Sequence, residues 1–398
     1  MRILFLCNKS PWPAKEGGPM AMNMLIEGAA KAGHQVKVLA VNSFKYNIRS
    51  TDIPLTYRKA TGIELIDVDL RLKPIDALLN LFTNDSYHVQ RFISEKFREQ
   101  VVDTLKTYEF DIVQLETLFM CPYIDVIREY SKAKIVLRTH NIEHLIWQRI
   151  SEETKNPVKR WYLRHLSGTL RNYEHNAVVK VDGIVAITRG DAEYFKHLSH
   201  IQVIDLPFGI EPEDYTRLPP ATEFPSLFSL GSMNWIPNQE GIRWFLEHVW
   251  PDVHRQFPDL KYYLAGREMP EWMHTLKSEN VIVLGEVEDA RAFLASKAIM
   301  IVPLFSGSGI RVKIIEGMAA GKTIISTAIG AEGIGCTHHE NILIANSPCE
   351  FFEMISICCT NSALCTKIGN QARLLVEKEY NTTILNQKLH AFYKQLTG

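Results

Sequence analysis

Short apolar runs alternate with longer amphipathic stretches along the first half of the chain. Each run has the length and flanking turn residues of a buried strand, and each stretch repeats its apolar positions at helical spacing. Such patterning indicates a parallel sheet covered by helices. The predicted strands are 3–7, 36–41, 112–115, 134–137, 183–187 and 202–206, and a helix over 21–32 is ended by Gly33.

A second alternation follows a proline-rich interruption at 207–224, which predicts an interdomain linker. The sequence therefore predicts an α/β fold of two doubly wound, Rossmann-like domains, 1–206 and 225–380, with 381–398 as a terminal helix. Ligands of such sheets bind at the carboxyl ends of the strands, so a cleft faced by both domains is the expected site. The second set comprises strands 227–230, 261–265, 281–284, 300–303 and 323–326, and helices 239–249, 312–320 and 381–396.

Composition narrows the class of protein without identifying its function. The 398 residues are 46% hydrophobic and 22% charged, as in globular proteins, and the net charge of -1 predicts no nucleic-acid partner. Seven cysteines without a C-x-x-C pair predict buried thiols in a reducing compartment and no zinc site. The apolar N-terminal run is too short for a signal peptide, and no run could span a bilayer. A soluble, cytoplasmic protein is expected.

The most informative loop precedes the helix predicted at 312–320. Its Gly-Ser-Gly turn, Gly307 to Gly309, exposes amides at a helix N-terminus, where a diphosphate is well bound. Arg311 and Lys313 follow, and two cations there oppose the helix dipole unless an anion neutralises them. Glu316 can share the helical face of Lys313 and accept both hydroxyls of a ribose. The alternative is a surface helix face with local salt bridges.

Two loops of the N-terminal domain carry further candidates. Gly17 and Gly18 precede the first helix and offer amides to an anion, although the loop lacks the early glycine of a dinucleotide-binding turn. His140, Asn141 and Glu143 follow a predicted strand, where His140 could hold a sugar hydroxyl or stabilise charge near a reacting carbon. A flexible turn and a structural histidine are the respective alternatives.

Three loops at strand ends of the second domain are expected to hold a nucleotide base and its phosphates. They are Gly231 to Asn238, Gly266 with Arg267, and Gly285 to Val287.

Together these segments resemble the retaining glycosyltransferases of family 4, which have the two-domain GT-B fold. The resemblance covers nearly the whole chain and is most specific at Glu316-Gly-Met-Ala-Ala-Gly-Lys. The Gly-Ser-Gly-Ile-Arg-x-Lys-x-x-Glu loop resembles the branch common among bacterial surface-polysaccharide enzymes. The resemblance to the family also includes the segments Gly17-Gly18, Gly33-His34-Gln-Val, Pro207-Phe-Gly209-Ile-Glu, Gly231-Ser-Met-Asn-Trp and Ala-Gly266-Arg.

The resemblance implies a nucleotide-sugar donor held mainly by the second domain. It also implies a saccharide or polyprenyl-linked glycan acceptor, no cofactor, and a terminal helix that crosses back to the first domain. The implied contacts are Glu316 to the ribose, Arg311 and Lys313 to the diphosphate, the Ser308 and Gly309 amides to phosphates or sugar, residues 285–287 to the base, Gly17 and Gly18 closing over the donor, and His140 beside the transferred sugar.

Two departures from the family pattern concern the donor site. Ser308 replaces the first of two glutamates that the family usually separates by seven residues, so its usual contact with sugar hydroxyls is expected from backbone. No Lys follows Asn238, and Ser232 follows Gly231, so Arg311 and Lys313 are expected to carry the phosphate charge. The family is metal-independent and retains configuration, by front-face attack. Asp67-Val-Asp69 looks like a metal-binding D-x-D motif and is interpreted as unrelated to metal.

A basic amphipathic helix is predicted within 155–171 of the acceptor-side domain. Arg160, Arg164, Ser167 and Arg171 form one stripe, and three leucines form another. The hypothesis is a peripheral contact with the inner face of the cytoplasmic membrane or with a lipid-linked pyrophosphate. The alternative is a surface helix whose leucines face the core.

Three other functions remain open. An NAD-dependent oxidoreductase lacks its glycine fingerprint here. A sugar-nucleotide epimerase of similar architecture would need no acceptor. A non-catalytic sugar-nucleotide-binding protein would be consistent with Ser308.

Overall fold

The computed structural model describes residues 1–14, 17–71, 80–83, 85–216, 222–307 and 309–398. These residues form two compact units. The first contains Met1–Phe208 and Leu385–Gly398, and the second contains Gly209–Ile384. Each unit is built on one sheet whose described strands are all parallel.

The sheet of the first unit has the strand order β3-β2-β1-β4-β5-β6-β7 among its described strands. Its interior strand β1 is almost entirely apolar and buried, because it is covered by helices on both faces. The strands are β1 (Arg2–Cys7), β2 (Gln35–Asn42), β3 (Glu64–Asp67), β4 (Ile112–Glu116), β5 (Lys134–Thr139), β6 (Gly183–Ala186) and β7 (Gln202–Asp205).

The helices of the first unit cover the sheet and end where the sequence provides a cap. Gly33 follows α1 with a positive φ of 79°, as predicted from its position. The helices are α1 (Gly17–Lys31), α2 (Leu55–Thr61), α3 (Tyr87–Gln90), α4 (Glu95–Thr107), α5 (Ile124–Tyr130), α6 (Glu143–Glu153), α7 (Pro157–Val178) and α8 (Arg189–Leu198), with short 3₁₀ turns at Phe44–Tyr46, Ser50–Asp52, Asn80–Phe82 and Leu118–Tyr123.

The second unit has a sheet of order β10-β9-β8-β11-β12-β13 among its described strands. Its strands are β8 (Glu223–Leu230), β9 (Tyr262–Ala265), β10 (Val281–Gly285), β11 (Lys297–Val302), β12 (Thr323–Ser326) and β13 (Leu343–Ile344). Its helices are α9 (Glu213–Thr216), α10 (Ile236–His248), α11 (Trp250–Gln256), α12 (Glu271–His274), α13 (Ala290–Ser296), α14 (Val312–Ala319), α15 (Pro348–Thr360) and α16 (Ser362–Glu379).

The last helix, α17 (Thr382–Thr397), packs on the first unit. Leu385, Leu389, Phe392 and Tyr393 are buried in the same apolar cluster as strand β1 and helix α1. A Cβ added at Gly183 would lie 2.7 Å from the Phe392 ring, so the glycine leaves the room that this ring occupies. The first unit therefore completes its core with residues that follow the second unit in the chain.

The predicted parallel α/β architecture is confirmed in both units. Each predicted strand is present, with the predicted ends at 323–326 and with shifted ends elsewhere, whereas β3 and the two-residue β13 were not among the predicted strands. The expectation of buried thiols is confirmed for four of the seven free cysteines, but Cys336 and Cys359 are half-buried and Cys349 is exposed. None of the described helices is both long and apolar enough to cross a membrane.

Candidate functional site

Three strand ends of the second unit lie side by side. The Gly231 amide donates to the Ala265 carbonyl at 3.2 Å, and the Gly266 amide donates to the Gly285 carbonyl at 2.8 Å. A Cβ added at Gly266 would lie 1.8 Å from the Gly231 carbonyl oxygen, so only glycine allows this approach. The ends of β8, β9 and β10 thus form one continuous rim, the edge at which open α/β sheets bind ligands.

Lys313 reaches this rim from the first turn of α14. Its Nζ donates to Asn238 Oδ1 at 2.7 Å, and Asn238 Nδ2 donates to the Ser232 carbonyl at 2.8 Å. Burial of the ammonium group, together with the Arg311 guanidinium, lowers the Lys313 pKa to about 7. Within the described part of the chain Lys313 has no carboxylate partner. The asparagine therefore orients a lysine whose charge is not compensated.

Arg311 precedes the same helix and is only 5% exposed. Its guanidinium lies over the Trp235 ring at 5.5 Å, and its Nη1 donates to the Gly309 carbonyl. Its Nε and Nη2 have no hydrogen-bond partner among the described residues. Burial lowers its pKa, although Glu332 acts in the opposite direction. A buried arginine with two unused donor atoms can bind an anion.

Gly307 shapes the space beside Arg311. Its φ is +110°, and an added Cβ would lie 2.6 Å from the Trp235 ring and 3.3 Å from Arg311 Nη2. The glycine therefore allows the tryptophan and the guanidinium to pack against the loop. Ser308, predicted to offer its amide here, lies outside the described residues.

Glu316 contacts a tyrosine that the sequence analysis missed. The Tyr215 hydroxyl donates to Glu316 Oε1 at 3.0 Å, and burial raises the pKa of the carboxyl. Arg291 lies over the Tyr215 ring at 5.2 Å and pairs with Asp214 at 2.9 Å. Tyr215 belongs to α9, inside the proline-rich segment predicted as a linker, where periodicity gives no signal.

The alternative of a salt-bridged surface face is wrong for this helix. Lys313 contacts Asn238 and Glu316 contacts Tyr215, so the two charged side chains are not paired with each other. Arg311 is buried, and no described carboxylate forms an ion pair with it. Two remaining candidates lie on the same edge. Arg267 is exposed, and Val287 is half-buried in the loop after β10.

In the first unit, His140 lies directly after strand β5 and its side chain is 12% exposed. Its Nε2 is 2.9 Å from Glu116 Oε2, at the end of the neighbouring strand β4. Burial, with Arg138 and Lys9 nearby, lowers the His140 pKa against the opposing effect of Glu116. Arg138 is fully buried, lies 3.7 Å from Glu116 Oε2, and donates to the Ala21 carbonyl at 2.7 Å.

Thr117, the next residue after β4, is a second feature missed from the sequence. It is buried with a φ of +80°, which is strained for a β-branched residue, and its hydroxyl has no partner among the described residues. Strain of this kind concentrates at functional sites.

The glycine-rich loop before α1 lies close to Lys9. Gly17 is the exposed first residue of the helix, and a Cβ added at Gly18 would lie 3.0 Å from Lys9 Cε. Lys9 also lies 5.0 Å from the Tyr46 ring centroid. Because Lys9 lowers the His140 pKa, this loop and His140 share one electrostatic environment.

Asn141 and Glu143 begin a buried polar cluster at the start of α6. Glu174 Oε1 accepts from the Glu143 amide at 3.0 Å, and Glu174 Oε2 lies 2.5 Å from His144 Nδ1. Burial and the Glu174 carboxylate raise the Glu143 pKa to about 8, opposed by a hydrogen bond with the Asn141 side chain. The cluster anchors α6 to α7.

The basic helix is α7, and its predicted leucine stripe is buried as the alternative interpretation required. Ser167 is not on the basic stripe, because it is buried and donates to the His144 carbonyl at 3.0 Å. Arg164 is exposed, while Arg160 Nε donates to the Thr154 carbonyl at 2.8 Å. Val158 and Trp161, 74% and 61% exposed, lie on the first turns of the same helix.

The two aspartates of the D-x-D segment have protein partners. Asn42 Nδ2 donates to Asp67 Oδ1 at 2.8 Å, and Asp69 pairs with Arg71 at 2.8 Å.

Residues 225–361 match a family model described as Glycosyl transferases group 1. An uncharacterized 44.6 kDa protein in the cps region of Klebsiella pneumoniae is 20% identical over 394 residues, which cover 96% of this chain and 97% of that protein.

Solved GT-B structures resemble the whole chain. Sucrose-phosphate synthase from Thermosynechococcus elongatus has a TM-score of 0.70 at 15% identity, covering 100% of this chain and 99% of that one. HepE from Anabaena, solved with UDP, has a TM-score of 0.67 at 14% identity, covering 99% and 100%. HepE has also been solved with UDP-glucose, with a TM-score of 0.64. The chain thus has the GT-B fold, and this fold together with the family match over residues 225–361 supports a glycosyltransferase.

Proposed function

We propose that this protein transfers a sugar from a nucleotide-sugar donor to a glycan or lipid-linked acceptor, with retention of configuration and without a metal ion. The observation that carries the proposal is the pair of cations Arg311 and Lys313, whose charged groups are buried, form no ion pair among the described residues and lie at the start of α14 beside the strand-end glycines. Since HepE was solved with UDP and UDP-glucose, UDP-sugars are the first donors to test.

The diphosphate of the donor would bind at the N-terminus of α14. Negative charge develops on the phosphate oxygens as the nucleoside diphosphate leaves, and preorganised cations and helix amides stabilise that charge. Arg311 offers its two unused nitrogens, and Lys313 its ammonium group. In this proposal they supply the charge that a divalent metal supplies in other transferases.

The nucleoside would bind along the glycine rim. Glu316 would accept the ribose hydroxyls, with Tyr215 holding one carboxylate oxygen so that the group is correctly oriented. Gly231, Gly266 and the loop carrying Val287 would contact the base and phosphates. Asn238 would orient Lys313, and exposed Arg267 would contribute positive charge at the rim.

The first unit would supply the groups around the sugar and the acceptor. His140 would lie beside the transferred sugar, and Gly17 and Gly18 would close over the donor. Half-buried Asn141, which follows His140, would contact the acceptor, whereas the predicted acceptor-side role of Glu143 is not supported because this residue is buried in the cluster with Glu174. Front-face attack would account for the proposed retention without a carboxylate nucleophile.

A role in surface polysaccharide synthesis is supported by the Klebsiella relative, whose name places it in a cps region. The glycan acceptor of such a synthesis can be attached to a polyprenyl lipid. The exposed Val158 and Trp161 beside exposed basic residues of α7 support a peripheral membrane contact of a cytoplasmic protein, because apolar tips and basic side chains together bind anionic bilayers.

Thermal shift with UDP-, GDP-, ADP-, CMP- and dTDP-sugars tests donor binding. A ligand at about 100 times its dissociation constant adds about 2.7 kcal/mol to the free energy of unfolding. We expect one nucleotide to stabilise the protein equally with EDTA and with magnesium, and Lys313→Met to lose the effect. Lys322→Met is the matched control, since Lys322 is also buried with a lowered pKa but precedes β12 at the opposite edge of the sheet.

Donor turnover then separates the remaining functions. Transfer to an added glycan supports the proposal. Conversion of the donor to its epimer without an acceptor would indicate an epimerase, and donor binding with neither transfer nor hydrolysis would indicate a non-catalytic binding protein. An equal loss of stabilisation in Lys313→Met and Lys322→Met would contradict the assigned diphosphate site.

A further inference from the structure

A buried chain of hydrogen bonds connects the terminal helix to His140. The Tyr393 hydroxyl, on α17, donates to Gln114 Oε1 on β4. Gln114 Nε2 donates to Glu116 Oε1 at 2.5 Å, and Glu116 Oε2 lies 2.9 Å from His140 Nε2. Tyr393, Gln114 and Glu116 are fully buried, so water does not compete for these bonds.

The chemistry of each group fixes the direction of this chain. The phenol donates its one proton to the amide oxygen, which turns the amide nitrogen toward Glu116. Burial opposes ionisation of Glu116, but Arg138 and the His140 hydrogen bond outweigh it and hold its pKa below the ordinary value. An ionised carboxylate can only accept, so the proton shared with His140 must be on Nε2.

The other ring nitrogen of His140, Nδ1, is left for a ligand. Among the described residues no group forms a hydrogen bond with Nδ1. Burial, Arg138 and Lys9 lower the His140 pKa, and only Glu116 raises it, so the ring is neutral at physiological pH. A neutral imidazole with its proton on Nε2 presents a lone pair at Nδ1.

We propose that Tyr393, Gln114 and Glu116 are positioning residues that hold His140 as the neutral Nε2–H tautomer, so that Nδ1 accepts a hydrogen bond from a hydroxyl of the transferred sugar. This inference rests on the proposed function for the identity of the ligand. It makes His140 an acceptor toward a polar ligand, and the opposite tautomer would present a donor in its place.

The groups around this chain of hydrogen bonds support the assigned donors and acceptors. Arg138 lies 3.7 Å from Glu116 Oε2 and is held by the Ala21 carbonyl of α1. Cys7, on β1, lies near Glu116, and burial keeps its thiol protonated with a strongly raised pKa. Burial likewise raises the Tyr393 pKa, so the phenol stays a donor. Apolar packing of Phe392 and Leu389 on the sheet fixes the rotation of α17.

NMR of protein carrying ¹⁵N-histidine tests the tautomer without requiring activity. The His140 ring signals are identified by their absence in His140→Gln. We expect the wild-type ring to show a protonated Nε2 and an unprotonated Nδ1 at pH 7.5 and above. Glu116→Gln replaces the carboxylate that accepts the Nε2 proton with a neutral amide. The ring signals should therefore shift toward a mixture of tautomers, and the His140 pKa should fall further.

Two further variants keep the test decisive. Tyr393→Phe removes only the first hydroxyl, and we expect a smaller shift of the same His140 signals in a folded protein. Glu174→Gln breaks the equivalent histidine–carboxylate pair at His144, so it should move the His144 signals and leave His140 unchanged. A wild-type Nδ1–H tautomer, or His140 signals unaltered in both Glu116→Gln and Tyr393→Phe, would overturn the proposal.

Kinetics distinguish this inference from the proposed function. Glu116→Gln should lower kcat/KM for the donor about tenfold, because His140 is no longer held in the orientation that accepts the sugar hydroxyl. Glu116→Asp should recover part of kcat/KM. A wild-type protein without transfer would contradict the proposed function and leave the NMR result standing. A kcat/KM that falls equally in Glu116→Gln and Glu174→Gln would indicate general damage and contradict the positioning role.

Discussion

Arg311 and Lys313 place two positive charges at the N-terminus of α14, where the helix dipole disfavours them. Both charged groups are also buried away from water, which is unfavourable. No described carboxylate pairs with either side chain. Both residues could be predicted from the sequence, because two cations at a helix start oppose the helix dipole unless an anion binds there. Tyr215, which contacts Glu316, was missed because an aromatic residue in a proline-rich segment has no distinctive pattern, and Trp235 was predicted only as part of the strand-end loop 231–238, without its contact with Arg311.

The lowered pKa of Lys313 predicts a pH-dependent affinity for the donor. With a pKa near 7, the free lysine loses its charge as the pH rises, whereas a bound diphosphate favours the charged form and raises that pKa. The dissociation constant of the UDP-sugar should therefore increase up to about tenfold per pH unit above pH 7. Calorimetry at pH 8 in buffers of different ionisation enthalpy should detect proton uptake, which Lys313→Met abolishes. A pH-independent affinity between pH 6 and 9 would contradict this.

Gly307→Ala should weaken donor binding without unfolding the second unit. The new methyl group would meet the Trp235 ring at 2.6 Å and displace it together with Arg311, so we expect an increase of about tenfold in the dissociation constant, measured by calorimetry. Gly33→Ala is the control, since Gly33 also has a positive φ but has nothing within 4 Å of an added Cβ. Equal donor affinity in Gly307→Ala and the wild type would show that this packing is not needed.

At the scale of elements, periodicity predicted nearly every buried strand but neither β3 nor β13. β3 is a short edge strand with charged ends, and β13 has two residues, so neither has enough apolar positions to form a pattern. Glu116 was missed for a related reason. It ends a strand that is otherwise apolar apart from Gln114, and only the pairing of β4 with β5 brings it to His140.

The start of α7 should bind anionic membranes. Charge reversal by Arg160→Glu with Arg164→Glu should reduce co-sedimentation with phosphatidylglycerol vesicles, because each basic residue near such a surface contributes about 1 kcal/mol. Trp161→Glu should reduce it further by removing an exposed apolar contact. The control is the double variant Lys59→Glu with Lys132→Glu, which reverses the same amount of charge at exposed positions elsewhere in the first unit. Equal loss in both double variants would indicate attraction by net charge alone.

Phe392→Ala should destabilise the first unit by about 3–5 kcal/mol, because it leaves a cavity against Gly183 in a core that has little room to relax. Denaturant unfolding followed by circular dichroism measures the loss. Lys394→Ala, on an exposed position of the same helix, serves as the control and should change the free energy of unfolding by less than about 0.5 kcal/mol. A similar value for both variants would mean that α17 does not contribute to this core.

For the whole molecule, the sequence predicted a parallel α/β architecture in two parts because apolar runs and turn residues report burial directly. The GT-B fold followed from motifs such as the segment at Glu316, which describe a loop and its helix together. Side-chain partners could not be predicted in the same way. Tyr393 and Gln114 are separated by 279 positions, and only the folded unit brings them together.

The place of α17 in the first core has a consequence for synthesis of the protein. Residues 385–398 leave the ribosome after the whole of the second unit, so the first unit cannot complete its core during translation, although it is made first. The nascent unit meanwhile exposes the apolar groove that Leu385, Leu389 and Phe392 later fill. A recombinant fragment of residues 1–208 should therefore be aggregation-prone and should become soluble when a peptide of residues 385–398 is supplied in trans.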